Sequence, residues 1–248
     1  MPDAAPLLLV QDLAVGYTDE PIVREFSTAL AAGSITTIIG PNGAGKSTLL
    51  GALYGLNRRF AGRIVFAGDE IQEVAPAGRL KRGIGLVPQG RCNFPLMSVR
   101  ENLELGTYTL PRGAADAAIA RMLDLFPLLR QRWRVAAGNL SGGEQQILEM
   151  AMVLAAGPRL LLLDEPSLGL SPGNQQQVFH TIAGIRDGGV TVLMVEQNAT
   201  AALRISDTAI VMELGRKRLE GPAGRIANDP AVRAAYLGGA EQEGPAQA

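Results

Sequence analysis

A glycine-rich segment constrains the fold of this 248-residue chain more than any other feature. Residues 40–47 read GPNGAGKS, which matches the pattern G-x-x-x-x-G-K-[ST]. The apolar run Ile35–Ile39 before it predicts a strand, and Thr48–Tyr54 after it predicts a helix. Glycines in this context let successive backbone N–H groups turn inward around an anion, and the helix N-terminus adds a partial positive charge. The segment therefore predicts a phosphate-binding loop in an α/β fold.

Side chains of this loop suit the phosphates of a nucleotide and a magnesium ion. Lys46 can reach the β- and γ-phosphates, and the Ser47 hydroxyl can bind Mg²⁺. We therefore predict ATP and Mg²⁺ as the cofactors. The candidate nucleotide ligands of the loop are Asn42, Gly43, Ala44, Gly45, Lys46, Ser47 and Thr48.

Two carboxylates follow a second apolar run. Leu160–Leu163 predicts a buried strand, and Asp164 and Glu165 come directly after it. In an open parallel sheet, ligands bind at the carboxyl ends of the strands, where the phosphate loop also begins. We therefore expect Asp164 to bind Mg²⁺ and Glu165 to orient and polarise the attacking water.

Composition excludes several other kinds of site. The chain has 23 Lys and Arg against 24 Asp and Glu, so it lacks the positive field that non-specific nucleic-acid binding needs. Its one cysteine, Cys92, and one histidine, His180, exclude an internal disulfide, a cysteine-cluster metal site and a two-histidine zinc site. We expect no signal peptide and no membrane-spanning segment, because no apolar run is long enough.

Hydrophobic patterning predicts a parallel sheet with additional β and helical parts. Buried strands are predicted at Ser34–Ile39, Ile84–Val87, Leu160–Leu163 and Val190–Val195. An antiparallel sheet is predicted from Leu8–Val15, Ile22–Leu30 and Gly62–Phe66, and a hairpin from Ala209–Glu213 and Lys217–Glu220. Helical spacing covers Leu103–Leu105, Ala114–Leu129 and Gln145–Ala156.

These elements predict a single domain over residues 1–240. Its core comprises residues 1–89 and 158–240, and a helical subdomain is inserted at about 90–157. Residues 241–248 lack apolar periodicity and are predicted to be a disordered tail.

The segment Leu140–Gln145, LSGGEQ, precedes the last of these helices. Ser141 and Glu144 have the spacing of a capping box, with serine as N-cap and glutamate as its N3 partner. A capping box does not explain Gly142 and Gly143, which weaken a helix start but let a phosphate approach the backbone.

Together, LSGGEQ, GPNGAGKST and LLLLDEP resemble the ATP-binding subunits of ABC transporters over nearly the whole chain. The resemblance implies a P-loop NTPase core of RecA-like type with an antiparallel β subdomain and an inserted helical subdomain. It also implies a dimer, with itself or with a paralogous subunit, in which Ser141, Gly142 and Gly143 contact ATP bound to the other subunit. Glu144 belongs to the same candidate set.

The resemblance assigns further roles outside these motifs. Tyr17 matches the aromatic residue that stacks on adenine, and Gln89 matches the glutamine that contacts Mg²⁺. The metal candidates are thus Ser47, Gln89 and Asp164, and the catalytic candidates are Lys46, Glu165 and Gln197.

Two departures from the family pattern point to one subgroup. Gln197 replaces the usual histidine and can donate a hydrogen bond to a phosphate, but it cannot carry a proton or a positive charge. Ser167–Leu170, SLGL, replaces a loop that commonly ends in aspartate. With VPQGR, SVREN, EPSLGLSP and VEQNA, these residues resemble the smaller ATPase of branched-chain amino-acid importers.

The resemblance implies a place on the cytoplasmic face of the cell membrane and a set of partners. We expect transmembrane permease subunits, in contact with a surface near Gly90–Asn102, and indirectly a substrate-binding protein, but no nucleic acid. A urea or short-amide importer, a non-transport ABC ATPase of cofactor assembly, and a nucleotide-gated regulatory protein with little hydrolysis are the alternatives.

Overall fold

The computed structural model describes residues 5–237, so the predicted tail at 241–248 lies outside the described residues. Ten strands are described, at β1 Leu8–Gly16, β2 Val23–Leu30, β3 Ile35–Ile39, β4 Arg58–Phe66, β5 Asp69–Glu70, β6 Ile84–Val87, β7 Leu160–Asp164, β8 Thr191–Val195, β9 Thr208–Glu213 and β10 Arg216–Pro222. The α-helices are α1 Lys46–Tyr54, α2 Pro76–Lys81, α3 Val99–Gly106, α4 Arg112–Leu125, α5 Pro127–Gln131, α6 Gly142–Leu154, α7 Pro172–Asp187, α8 Ala199–Ile205, α9 Ala223–Ala227 and α10 Pro230–Tyr236.

The strands form two sheets. The larger has the order β10-β9-β3-β8-β7-β6, in which all neighbours are parallel except the hairpin β9–β10. The smaller is antiparallel, with the order β2-β1-β4-β5. Parallel pairing aligns the carboxyl ends of β3, β7 and β8, since Val195 is opposite both Ile38 and Asp164.

Alternation along the parallel strands fills two separate hydrophobic clusters. Leu161 and Leu163 face a cluster that includes apolar side chains of α3, α6 and α7. Leu160 and Leu162 face the opposite cluster, which α1 and the antiparallel sheet complete. Successive side chains of a strand point to opposite faces, so a strand covered on both faces must be apolar throughout. This explains the uninterrupted run of four leucines.

The predicted fold class is confirmed, and the predicted elements differ in detail. The single helix predicted over Ala114–Leu129 is wrong: α4 ends at Leu125, and α5 begins at Pro127. Phe126 between them is extended, with φ −125° and ψ 77°. Proline disfavours helical backbone at the preceding residue and lacks an N–H group, so the helix breaks here.

The boundaries of the inserted helical subdomain, about 90–157, remain a prediction. Helices α3 to α6 all lie between residues 90 and 157, as does a short 3-10 helix at Ala137–Asn139. None of the helices described within residues 5–237 is both long and apolar enough to cross a membrane.

A buried arginine holds the C-terminal end of α1. The guanidinium of Arg79 donates to the carbonyl oxygens of Ala52 and Leu53, each at 2.8 Å, and to those of Val74 at 2.8 Å and Gln72 at 3.1 Å. Arg79 is only 2% exposed, and burial lowers its pKa to about 10. The side chain adds donors at the end of α1, where the carbonyl oxygen of Ala52 also accepts from the N–H of Gly55 at 3.0 Å.

Replacement of Arg79 by methionine should lower the free energy of unfolding by about 3 kcal/mol, because several buried carbonyls lose a charged donor. Arg82→Met, an exposed change on the next turn, should cost no more than about 0.5 kcal/mol. Urea denaturation of both variants measures the difference. Equal midpoints would show that Arg79 does not hold α1.

Candidate nucleotide-binding site

The loop between β3 and α1 has the backbone that an anion cradle needs. Gly43 and Gly45 have φ of 79° and 91°, in the left-handed region that favours glycine. A Cβ on Gly40 would lie 2.1 Å from the carbonyl oxygen of Met212, so that position also excludes a side chain. Helix α1 begins directly after the loop, at Lys46. The loop residues and the helix N-terminus thus face one open cleft, which we call the main cleft.

The main cleft has a volume of about 460 Å³. It brings together most of the predicted ligands. Its lining residues are Ile22, Asn42, Gly43, Gly45, Lys46, Ser47, Thr48, Gln89, Glu165, Leu168 and Gln197.

Lys46 is nearly buried, with 5% of its surface exposed. Its Nζ donates to the carbonyl oxygens of Gly40 at 2.9 Å and Pro41 at 3.0 Å. Burial lowers the pKa of Lys46, and the carboxylates of Glu165 and Asp164 oppose this effect. The ammonium group is therefore fixed at the floor of the loop beside two acidic groups.

Ser47 and Asp164 meet although 117 residues separate them. The Ser47 hydroxyl donates to Oδ1 of Asp164 at 2.8 Å. Burial raises the pKa of Asp164, whereas the bond from Ser47 and the charge of Lys46 lower it. A hydroxyl and a carboxylate oxygen at this distance form the kind of oxygen pair that Mg²⁺ prefers. The residues present therefore fit a magnesium ion.

Glu165 has an unusual backbone for a residue with a side chain. Its φ is 50°, and its N–H donates to the carbonyl oxygen of Val195 at 2.9 Å. Such a conformation costs free energy and occurs often at functional sites. The carboxylate accepts a hydrogen bond from Nε2 of Gln89 at 3.2 Å. Burial and the neighbouring Asp164 raise the pKa of Glu165, and Lys46 opposes them.

Predicted residues outside the main cleft fall into two groups. Ala44 is buried behind the loop, and Tyr17 is 62% exposed at the end of β1 and does not line the main cleft. The others lie at or near a second cleft of about 520 Å³, which Gly142 lines. Asp164, Glu165 and Gln89 line the second cleft too, so the two clefts meet at the end of β7.

The start of α6 is a capping box, as predicted. The Ser141 hydroxyl accepts from the N–H of Glu144, whose carboxylate accepts from the N–H of Ser141. Gly142 and Gly143 also have a packing role that the sequence did not reveal. A Cβ on Gly142 would lie 2.8 Å from Leu170, and one on Gly143 would lie 3.0 Å from Asn174.

Cys92 is not an activated thiol. Burial and the carboxylate of Glu149 raise its pKa to about 12.

Sequence reasoning missed Ile22 and Leu168, which add apolar surface to the main cleft. It also missed Glu196, a buried carboxylate at the end of β8. A signal for Glu196 existed, because an acidic residue follows the apolar strand β8 just as Asp164 ends β7.

Comparison with protein-family models gives two matches. The model described as ABC transporter matches residues 23–168, which include the phosphate loop and the acidic end of β7. A second model, described as branched-chain amino acid ATP-binding cassette transporter, matches residues 219–242.

Individual proteins agree with these matches. The chain is 42% identical to the high-affinity branched-chain amino acid transport ATP-binding protein BraG of Pseudomonas aeruginosa, over 94% of this chain and 100% of the relative. It is 38% identical to the probable branched-chain amino acid transport ATP-binding protein LivF of Archaeoglobus fulgidus, over 89% of this chain and 94% of that one.

A solved structure shares the fold. The crystal structure of an ATP-binding cassette of an ABC transporter in its ADP conformation matches with a TM-score of 0.83 and 27% identity. The match covers 95% of this chain and 100% of the other. The chain therefore belongs to the ABC transporter family, as one of its ATP-binding ATPase subunits.

Proposed function

We propose that this chain hydrolyses ATP to drive a membrane importer of branched-chain amino acids. The relatives named for branched-chain amino acid transport and the family match at residues 219–242 support this substrate class. The observation that carries the hydrolytic role is that Lys46, Ser47 and Glu165 line the main cleft and that Ser47 donates to Asp164 where the two clefts meet.

ATP binding begins with the phosphate loop. Backbone N–H groups of residues 42–48 and the N-terminus of α1 attract the phosphates, and the Lys46 ammonium neutralises part of their charge. Release of Lys46 from the carbonyl oxygens of Gly40 and Pro41 frees it for the β- and γ-phosphates. Exposed Tyr17 is available to stack on adenine.

Ser47, Asp164 and Gln89 would hold the magnesium ion. When bound, Mg²⁺ supplies positive charge to the β- and γ-phosphate oxygens during transfer. Asp164 is the one carboxylate of this set, and its hydrogen bond from Ser47 places the two oxygens 2.8 Å apart.

Glu165 positions the attacking water. Its carboxylate lines the main cleft, and a raised pKa makes a carboxylate a better proton acceptor near neutral pH. The water attacks the γ-phosphorus, the bond to the bridging oxygen breaks, and the proton of the water passes toward Glu165. Gln197, on the same cleft, donates a hydrogen bond to the γ-phosphate without any change of charge.

A second ATP-binding subunit completes the site. Ser141, Gly142 and Gly143 lie outside the main cleft of their own chain, which agrees with a role at the ATP of a partner subunit. The N–H groups at the start of α6 can contact a phosphate there, because a helix N-terminus attracts anions.

An apolar groove of about 370 Å³ offers a contact surface for the permease at the cytoplasmic face of the membrane. It is lined by Tyr54, Leu80, Leu86, Phe94, Leu105, Tyr108, Met152 and Val153 among others. Phe94 is 49% exposed and Tyr108 is 85% exposed. An exposed cluster of large apolar side chains is typical of an interaction site, and an apolar segment of the permease is its proposed occupant.

Glu165→Gln should reduce kcat for ATP hydrolysis at least about 100-fold, because an amide cannot accept the proton. The same variant should be more stable than the wild-type chain at about pH 8, since it removes a charge that is partly withdrawn from water. The folded-state pKa is raised, so the folded protein holds this proton more tightly than the unfolded chain. The difference should therefore shrink as the pH falls through that pKa. Phosphate-release assays and denaturation at several pH values measure both effects. Wild-type turnover in this variant would contradict the assigned role.

Uptake measurements in source cells lacking this chain test the cargo. Labelled leucine uptake should be lost, restored by the wild-type chain, and not restored by Glu165→Gln. Labelled urea serves as the control. Recovery of urea uptake alone would support the urea or short-amide alternative. No change for either compound would favour a non-transport ATPase of cofactor assembly.

The double variant Phe94→Ser and Tyr108→Ser should detach the chain from membranes that contain its permease. Its ATPase activity in isolation should stay within about twofold of wild type, because the groove is separate from the main cleft. Leu125→Ser, an exposed leucine outside the groove, is the matched control. Membrane flotation measures attachment, and equal attachment of both variants would exclude the groove as the contact.

A further inference from the structure

Glu196 is a buried carboxylate placed between two loops. It follows β8 directly and is only 1% exposed. Oε1 accepts from the N–H of Ser167 at 2.9 Å, and Oε2 accepts from the Ser167 hydroxyl at 2.9 Å. Oε2 also accepts from the N–H groups of Gln197 at 3.1 Å and Asn198 at 3.3 Å. One side chain thus receives four hydrogen bonds from two segments that are 29 residues apart.

Both segments reach the main cleft. The loop after β7 contains Ser167 and then Leu168, which lines the main cleft and the second cleft. The loop after β8 contains Gln197, which lines the main cleft. The carboxylate therefore links the Gln197 backbone to the segment just beyond Glu165.

Helix α7 supports the same link from outside. Nε2 of Gln175 donates to the carbonyl oxygen of Ser167 at 3.3 Å, and Nδ2 of Asn198 donates to Oε1 of Gln175 at 2.9 Å. Asn198 also caps α8, because its Oδ1 accepts from the N–H of Ala201. The link is thereby anchored to two helices.

A carboxyl group suits this arrangement, because each of its two oxygens accepts from a backbone N–H group. All four groups directed at Glu196 are donors, and within residues 5–237 no lysine or arginine forms an ion pair with it. A glutamine in its place has one oxygen and one NH₂ group. In either orientation the NH₂ group faces at least one of these backbone N–H groups, and two donors cannot form a hydrogen bond with each other. Burial of an unpaired charge is costly, and here the hydrogen bonds offset that cost.

We propose that Glu196 is a positioning residue that holds Gln197 and the Ser167–Leu170 loop as one unit, so that the γ-phosphate contact and the loop between the two clefts move together. This inference rests on the proposed hydrolytic function of the main cleft. It concerns kcat rather than ATP affinity, because Glu196 touches none of residues 40–48 through a hydrogen bond.

Amide hydrogen exchange tests the link in the chain alone, independently of hydrolysis. Glu196→Gln should raise the exchange rate at Ser167, and Ser167→Ala should raise it at Gln197 and Asn198. Exchange that rises only at the substituted residue, or nowhere, would overturn the link. Ser167→Ala removes only one hydroxyl group, so its exchange rates still test the link if Glu196→Gln folds poorly.

Steady-state kinetics test the functional consequence. Glu196→Gln should lower kcat roughly tenfold with KM for ATP within about twofold, and Ser167→Ala should give a smaller loss of kcat. The double variant should be no slower than Glu196→Gln, since both changes break the same link. Val232→Ala, a buried change on α10, is the control for lost stability.

Each outcome has one meaning. The positioning role is wrong if Glu196→Gln keeps the wild-type kcat. It is also wrong if Val232→Ala loses as much Tm and as much kcat as Glu196→Gln does. If the wild-type chain hydrolyses no ATP, the proposed function fails. The exchange rates then decide alone whether Glu196 joins the two loops.

Discussion

Backbone pairing between β3, β7 and β8 is the constraint on which the site depends. Val195 lies opposite both Ile38 and Asp164, so three strands that are far apart in sequence end at one level. The phosphate loop, the two adjacent carboxylates and Gln197 follow those three ends. No side-chain interaction could assemble these groups without the sheet, because the Ser47–Asp164 bond spans 117 residues.

The cost of this assembly is electrostatic. Two adjacent carboxylates are partly withdrawn from water and a lysine is almost fully buried, and burial shifts the pKa of each toward its neutral form. The attraction between the lysine and the carboxylates offsets part of this cost. A bound nucleotide with its metal ion would change the electrostatic free energy of all three groups. A site in which every charge and polar group already had a partner would gain little free energy from binding a polyphosphate.

Local chemistry determined what the sequence could predict. The strand, loop and helix around residues 35–54 and the capping box at Ser141 depend on neighbouring residues, so both were predictable. The break at Phe126 was hidden by an alanine-rich pattern that favours one long helix. The position of Glu196 after an apolar strand was a signal in the sequence, but its contacts with Ser167 are encoded by no short motif, so its role was missed. The roles of the site residues remain predictions, which activity measurements on variants can test.

The buried guanidinium of Arg79 also has a thermal consequence. Hydration of a charged group becomes less favourable as temperature rises, so the penalty for keeping that group out of water falls on heating. The four carbonyl contacts of Arg79 do not depend on water in the same way. The C-terminal end of α1 is therefore held by an interaction whose contribution to stability increases with temperature relative to that of hydrophobic burial. The hydrophobic contribution per unit area levels off on heating.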